Sequence, residues 1–205
     1  MKKIVALVAA VLCAAPAFAG DKGIIKLSLW DDIAIAAPNN INDVRGVSLG
    51  IGSTVDSIYG FQWDLIRNHS REVRGVQSAW IYNTAEEVWG LQAALVAINR
   101  GEVRGIQSGL VTINERELVG LQGGYTAVNI ARGHVTGAQL GAVNYNTGST
   151  KGLEAGFVNW NEGHVSGVQL GLVNYARDIY GLQIGLVNIA ENGYFPVMVL
   201  VNGRF

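Results

Sequence analysis

The sequence predicts an all-β fold: a closed antiparallel up-and-down barrel of about 12 strands, built from 15-residue repeats. Three observations predict it. A glycine-led unit recurs at near-constant spacing through most of the chain. Each unit alternates in side-chain character, and neither alternating set carries charge. The charges gather in the links between units. Composition agrees. Charged residues are 15% of the chain, against about 25% in ordinary soluble domains. Glycine is 27 of 205 residues, roughly twice the usual share. Many apolar residues and few charges exclude disorder, and a net charge of −1 gives no electrostatic case for nucleic acid.

The first element is an address. Lys2 and Lys3 precede an apolar run from Ile4 to Ala15, and Ala17-Phe18-Ala19 reads as a cleavage site. Residues 1–19 are therefore expected to be a signal peptide, and residues 20–205 a single repeat-built β domain. The only cysteine, Cys13, lies in the leader, so the exported chain is expected to have no thiol or disulfide chemistry. It carries 13 basic and 16 acidic residues once Lys2 and Lys3 are gone. No later run is long and apolar enough for a transmembrane helix.

The repeats follow. Lead glycines stand at Gly46, Gly60, Gly75, Gly90, Gly105, Gly120, Gly137, Gly152, Gly167 and Gly181. Typical units are GIQSGLVTIN from Gly105 and GLQIGLVN from Gly181. In the Gly105 unit one alternating set is Ile106, Ser108, Leu110 and Thr112. The other is Gln107, Gly109, Val111 and Ile113, which begins polar and then turns apolar. A half-exposed soluble sheet would show one charged face. The links fall into two classes that alternate. Arg71-Glu72-Val73-Arg74, Gly101 to Arg104, Gly133 to Thr136 and Gly163 to Ser166 form one; Glu86 to Trp89, Arg116 to Val119, Thr147 to Thr150 and Arg177 to Tyr180 form the other. Alternation at twice the repeat length suits a meander with two rims.

Two unlike segments flank the array, Lys26 to Ile35 and Phe195 to Phe205. With ten repeats between them the strand count is even, as in bacterial outer-membrane barrels. Strands of about 9–10 residues suit a tilted bilayer crossing. Closure would remove the exposed edges. In the last segment Phe195, Val197, Val199, Val201 and Phe205 alternate, which reads as a membrane-insertion strand. Aromatics near the links, among them Tyr59, Trp89, Tyr145, Trp160, Tyr175 and Tyr180, fall where interfacial girdles would lie.

The repeated GLQxGLVN pattern, the opening LSLW (Leu27 to Trp30) and the closing FPVMVLVNGRF resemble the bacterial surface-repeat proteins of spirochaetes and other Gram-negative bacteria. The likeness runs from Lys26 to Phe205. It implies an outer-membrane or cell-surface location and brings no established catalytic residues. The chain departs from that pattern at Asn99, Asn114 and Asn129, which fall two residues later in their units than Asn144, Asn159, Asn174 and Asn188.

Candidate site residues are mainly amides. Gln62, Gln77, Gln92, Gln107, Gln122, Gln139, Gln169 and Gln183, with Glu154 in one unit, follow the lead glycine by two. In an up-and-down barrel they would form two rings and line a lumen, or plug it by pairing. The leucine-rich set is expected outward. His134 and His164 occupy equivalent links and read as solvated turn residues. His164 with Ser166 lacks an orienting acid for nucleophilic catalysis. No cofactor, metal or catalytic motif emerges. The expected role is structural, surface-interacting or narrow-pore, without catalysis. The expected partners are outer-membrane lipid and the barrel-insertion machinery, with the ligand open. The alternative is a secreted or periplasmic β-solenoid that binds a partner, with equivalent links and the asparagines stacked in a ladder. A hydrolytic barrel enzyme is the third reading.

Overall fold

The structure, a computed structural model, describes residues 22–31, 33–34, 41–124 and 127–205. The leader signature at residues 1–19, with Cys13, lies outside these residues. So do Tyr125 and Thr126 of the Gly120 unit. The described chain is all-β and winds into a parallel β-solenoid of about eight turns. The expected closed antiparallel barrel is overturned by this pairing. Successive units lie parallel and in register, Gly75 on Gly90, Gly90 on Gly105, Gly105 on Gly120 and onward to Gly167 on Gly181.

The physical reason lies inside the unit. What reads as one strand of 9–10 residues is two shorter strands joined by a turn at its second glycine. In the Gly105 unit Val103–Ser108 forms one strand, Val111–Asn114 the next, and Gly109-Leu110 the bend between them. Gly109 faces inward there. A Cβ on it would lie 2.4 Å from the carbonyl oxygen of Ala94 in the turn below. Each coil therefore has two strands and two turns.

In chain order the strands are β1 (Lys22–Trp30), β2 (Ile33–Ala34), β3 (Asp43–Ala79), β4 (Tyr82–Ala93), β5 (Val96–Asn99), β6 (Val103–Ser108), β7 (Val111–Asn114) and β8 (Leu118–Gly123). They continue with β9 (Val128–Ala131), β10 (Val135–Leu140), β11 (Val143–Asn146), β12 (Thr150–Ala155), β13 (Val158–Leu170), β14 (Val173–Ala190) and β15 (Val197–Arg204). One parallel stack runs through β4, β6, β8, β10, β12, β13 and β14. The other runs through β4, β5, β7, β9, β11, β13 and β14. The long strands β3, β4, β13 and β14 bend around one side of the coil and serve both stacks. At the ends the pattern changes. β1 runs parallel to β3 and carries β2 antiparallel, while β15 folds back antiparallel on β14.

Two further expectations are corrected by this winding. The charged links form one rim and not two, because every coil contributes one charged turn to the same side. The two extra residues in the spacing of 17 between Gly120 and Gly137 fall between the strands Leu118–Gly123 and Val128–Ala131. Asn129 therefore stacks on Asn144 and not on Asn114.

The interior is narrow. Val73, Val88, Val103, Leu118 and Val135 form an apolar file just inside the charged rim, joined by Ala85 and Ala131. A second small cluster, Val165, Ala176, Ile179 and Ala190, resumes it. From Gly75 to Ile189 the other buried residues among those described are amides, hydroxyls, alanines and Gly123, with Glu154 among them; in the first coils Ile41, Val44, Val55 and Ile58 extend the apolar file, and Lys26 and Asp64 are buried. The lead glycines pack backbone to backbone. Gly105 has φ +139, and a Cβ there would meet the Gly90 carbonyl oxygen at 2.1 Å.

Candidate functional site

The inward amides build two ladders. Every predicted glutamine, Gln62 through Gln183, is fully buried, and so is Glu154. They stand in a single file, because the strands are parallel, and not in the two rings that opposed strands would give. From Gln77 to Gln139 each glutamine donates from Nε2 to Oε1 of the one before it, and Gln183 donates to Gln169 in the same way. Gln77 to Gln62 is 3.1 Å, Gln92 to Gln77 3.0 Å, Gln107 to Gln92 3.1 Å, Gln122 to Gln107 3.2 Å and Gln139 to Gln122 2.8 Å. An asparagine ladder runs beside it and donates the other way. Asn129 donates to Asn144, Asn144 to Asn159 and Asn159 to Asn174, each at 2.7 Å, and Asn174 to Asn188 at 2.8 Å. In-register parallel stacking places identical side chains about 4.8 Å apart, which is what a side-chain amide needs to bridge one coil to the next.

Glu154 interrupts the glutamine file because a carboxylate has no N–H to pass on. Its Oε2 accepts from Gln169 at 2.6 Å, and its Oε1 accepts from Asn146 at 2.6 Å and Asn161 at 2.9 Å. Gln139, left without the next donor, accepts from Asn146 instead at 2.6 Å. Thr150 stands where neighbouring coils have Val135 and Val165, and it accepts from Asn146 and Asn161. This polar coil is what divides the apolar file into its two clusters.

A second buried acid lies in the first coils. Asp64 takes the place of the inward small residue, where Gly109 and Gly171 stand in later units. Its Oδ2 accepts from Ser53, and its Oδ1 has no hydrogen-bond partner. Burial pushes its carboxyl up to about 6, against the opposing pull of Ser53, Lys26 and Arg67. Lys26 is also buried and donates to the Thr54 carbonyl.

The outer surface reverses the usual arrangement of a soluble domain. From Gly75 to Ile189 every charged residue and histidine except the internal Glu154 lies within five residues before a lead glycine, on or beside one rim. Opposite that rim the turn is apolar. Trp80 is 66% exposed, Leu95 53%, Phe157 65%, Leu172 49% and Leu186 57%. Both outer sheet faces are apolar too. One shows Leu91, Ile106, Leu121, Leu153 and Leu182, the other Val96, Val111, Val143, Val158 and Val173.

Between apolar surface and charged rim lies a border of aromatics and arginines. On one face Arg45, Tyr59, Arg74, Trp89 and Arg104 stack in alternation, with guanidinium to ring-centre distances of 5.6, 5.3, 5.4 and 4.7 Å. On the other face Tyr145, Trp160 and Tyr175 share a column, and Trp160 stacks on Tyr175 at 4.2 Å. The tyrosine hydroxyls point at the charged rim. Tyr145 donates to Glu162 at 3.0 Å and Tyr175 to Glu191, and each bond holds its phenol above the ordinary range.

The remaining predicted residues are placed as follows. His134 and His164 stand exposed on the charged rim. His134 Nδ1 meets Ser149 Oγ in the next coil, and His164 Nδ1 meets Asp178 at 2.9 Å. Ser166 lies two residues on from His164, in the arginine-aromatic column. Among the described residues no cluster of three metal-ligating side chains forms. Phe195, Val197, Val199, Val201 and Phe205 all lie exposed at the closing edge, and so does Leu200 between them at φ +70. The apolar rim was the feature that alternation alone missed. Its signal was present, since Leu110-Val111, Phe157-Val158, Leu172-Val173 and Leu186-Val187 each put two large apolar residues side by side after the second glycine.

The chain matches no family model, no curated protein and no solved structure.

Proposed function

We propose that this chain is an exported β-solenoid binding module, held at the cell surface, that works by docking its apolar surface and not by turning over a substrate. The observation that carries the reading is the separation of rims: charge on one side of the coil, large exposed apolar side chains on the other, through all the central turns. Monomeric proteins rarely leave contiguous apolar area of this extent uncovered. The amides that a soluble protein would display are here turned inward, and most of them bond to one another along the two ladders. The leader signature and the resemblance to surface-repeat proteins support export and a surface location.

Replacing Leu95, Leu110 and Leu172 together by Glu tests the docking role. These side chains are about half exposed, so the coil tolerates the change. The expected result is loss of retention on an octyl-agarose column, with the β-sheet circular dichroism signal retained. Unchanged retention would overturn the reading.

A further inference from the structure

Taking the docking reading as given, we propose that the occupant of the apolar surface is one leaflet of a lipid bilayer, entered edge-on with the charged rim left among the headgroups.

The shape of the apolar surface argues for lipid over a folded partner. It is three surfaces in sequence: one sheet face, the rim of Trp80, Leu95, Phe157 and Leu172, and the second sheet face. A second copy of the chain, or any other folded protein, would cover one flat face and leave the others in water. Acyl chains surround all three at once.

Depth agrees. From the rim residue Leu110 to the face residue Ile106 is four residues, two of them in the bend, a reach of at most about 13 Å. Half of a bilayer's hydrocarbon core is about 15 Å. Two residues beyond the Ile106 position stand Arg74, Trp89, Arg104, Lys151 and Tyr180 on that face, while on the other face Tyr145, Trp160 and Tyr175 stand three residues from the rim, at most about 10 Å along the chain. Aromatic rings with polar tips, next to long cationic side chains, are what a membrane interface selects. The phenols of Tyr145 and Tyr175 are tied to Glu162 and Glu191 on the charged side, so their polar ends already face the headgroup level.

The backbone satisfies the condition that lipid imposes. Unpaired N–H and C=O groups are too costly in hydrocarbon. In the central coils each strand is hydrogen-bonded to the turn before and the turn after, and the interior glutamines are bridged from Gln62 to Gln139 and the asparagines from Asn129 to Asn188. Open backbone edges are confined to the two ends of the stack.

The test uses vesicles of phosphatidylcholine and the purified chain. The unaltered chain is expected to float with the vesicles on a sucrose gradient. Two single-tryptophan variants then report depth, one keeping only Trp80 and one keeping only Trp89, with the other tryptophans changed to Phe. Lipids brominated deep in the acyl chain, at carbons about 11–12 from the headgroup, are expected to quench Trp80 more than Trp89. Lipids brominated near the headgroup are expected to do the reverse. Failure to float, or equal quenching from both depths, overturns the leaflet proposal. If the chain does not float but is retained on octyl-agarose and forms a dimer in water, the docking reading stands and the occupant is a second copy. If it neither floats nor is retained, both readings fall.

Discussion

At the scale of single residues, glycine, glutamine and two buried acids define this protein. The lead glycine is fixed by contact as much as by φ. Gly105→Ala would set a Cβ 2.1 Å from the Gly90 carbonyl oxygen, in a backbone region that disfavours any side chain. Strain and overpacking together are expected to cost about 3 kcal/mol or more, read as a lowered urea midpoint. Gln107→Leu would strand the Oε1 of Gln92 in a dry interior and leave the Nε2 of Gln122 only its longer bonds to the Thr112 and Ile130 carbonyls. An orphaned buried group costs about 1–3 kcal/mol, and a loss of that size is expected in the same measurement. Asp64 acts in the opposite sense. Its folded carboxyl titrates near 6 and its unfolded one near 3.8, so the folded state holds the proton more tightly. The contribution of Asp64 to stability is then greatest below pH 4, falls as the pH rises from 4 to 6, and is level above that. A shift of this size corresponds to about 3 kcal/mol. Asp64→Asn is expected to be more stable than the parent at pH 7 and to lose the slope between pH 4 and 6, as thermal unfolding at several pH values would show.

At the scale of the element, the unit is a coil and not a strand. The sequence pattern contained the difference in two places. The set Gln107, Gly109, Val111, Ile113 turns from polar to apolar partway, because the chain bends at Gly109 and the inward phase passes to Thr112 and Asn114. The doubled apolar pairs after the second glycine mark the same bend. Strand character, repeat length, the inward glutamines and the outward leucines were legible, since composition and alternation report them directly. Strand direction was not, because parallel and antiparallel neighbours share the same local pattern. It is settled by side chains far apart in sequence, through the asparagine and glutamine ladders. The coil of Glu154 shows how closely neighbours depend on each other. Thr150, Asn146 and Asn161 are the polar substitutions that let a carboxylate replace a ladder amide. Glu154→Leu would remove the shared acceptor of Gln169, Asn146 and Asn161, leaving them the Tyr175 carbonyl, Gln139 and Thr150. It is expected to destabilise the chain by about 3–5 kcal/mol in urea unfolding, more than Gln107→Leu despite similar burial.

At the scale of the whole molecule, the solenoid is amphipathic across its section rather than from inside to outside. Its amide interior supplies specificity of register, since a slip by one coil would place Glu154 away from Asn146 and Asn161. Its exterior carries large apolar side chains on one side and charge on the other. Both depend on the parallel, in-register stacking of successive units, which is the central claim. Nitroxide labels at Ile106→Cys and Leu121→Cys test it most directly, because residues 20–205 contain no cysteine of their own. Parallel stacking places these backbones about 5 Å apart, and strong dipolar broadening of the electron paramagnetic resonance spectrum is expected. An antiparallel hairpin would instead bring Ile106 beside Val128. Broadening in the Ile106→Cys/Val128→Cys pair, with none in the Ile106→Cys/Leu121→Cys pair, would contradict the account.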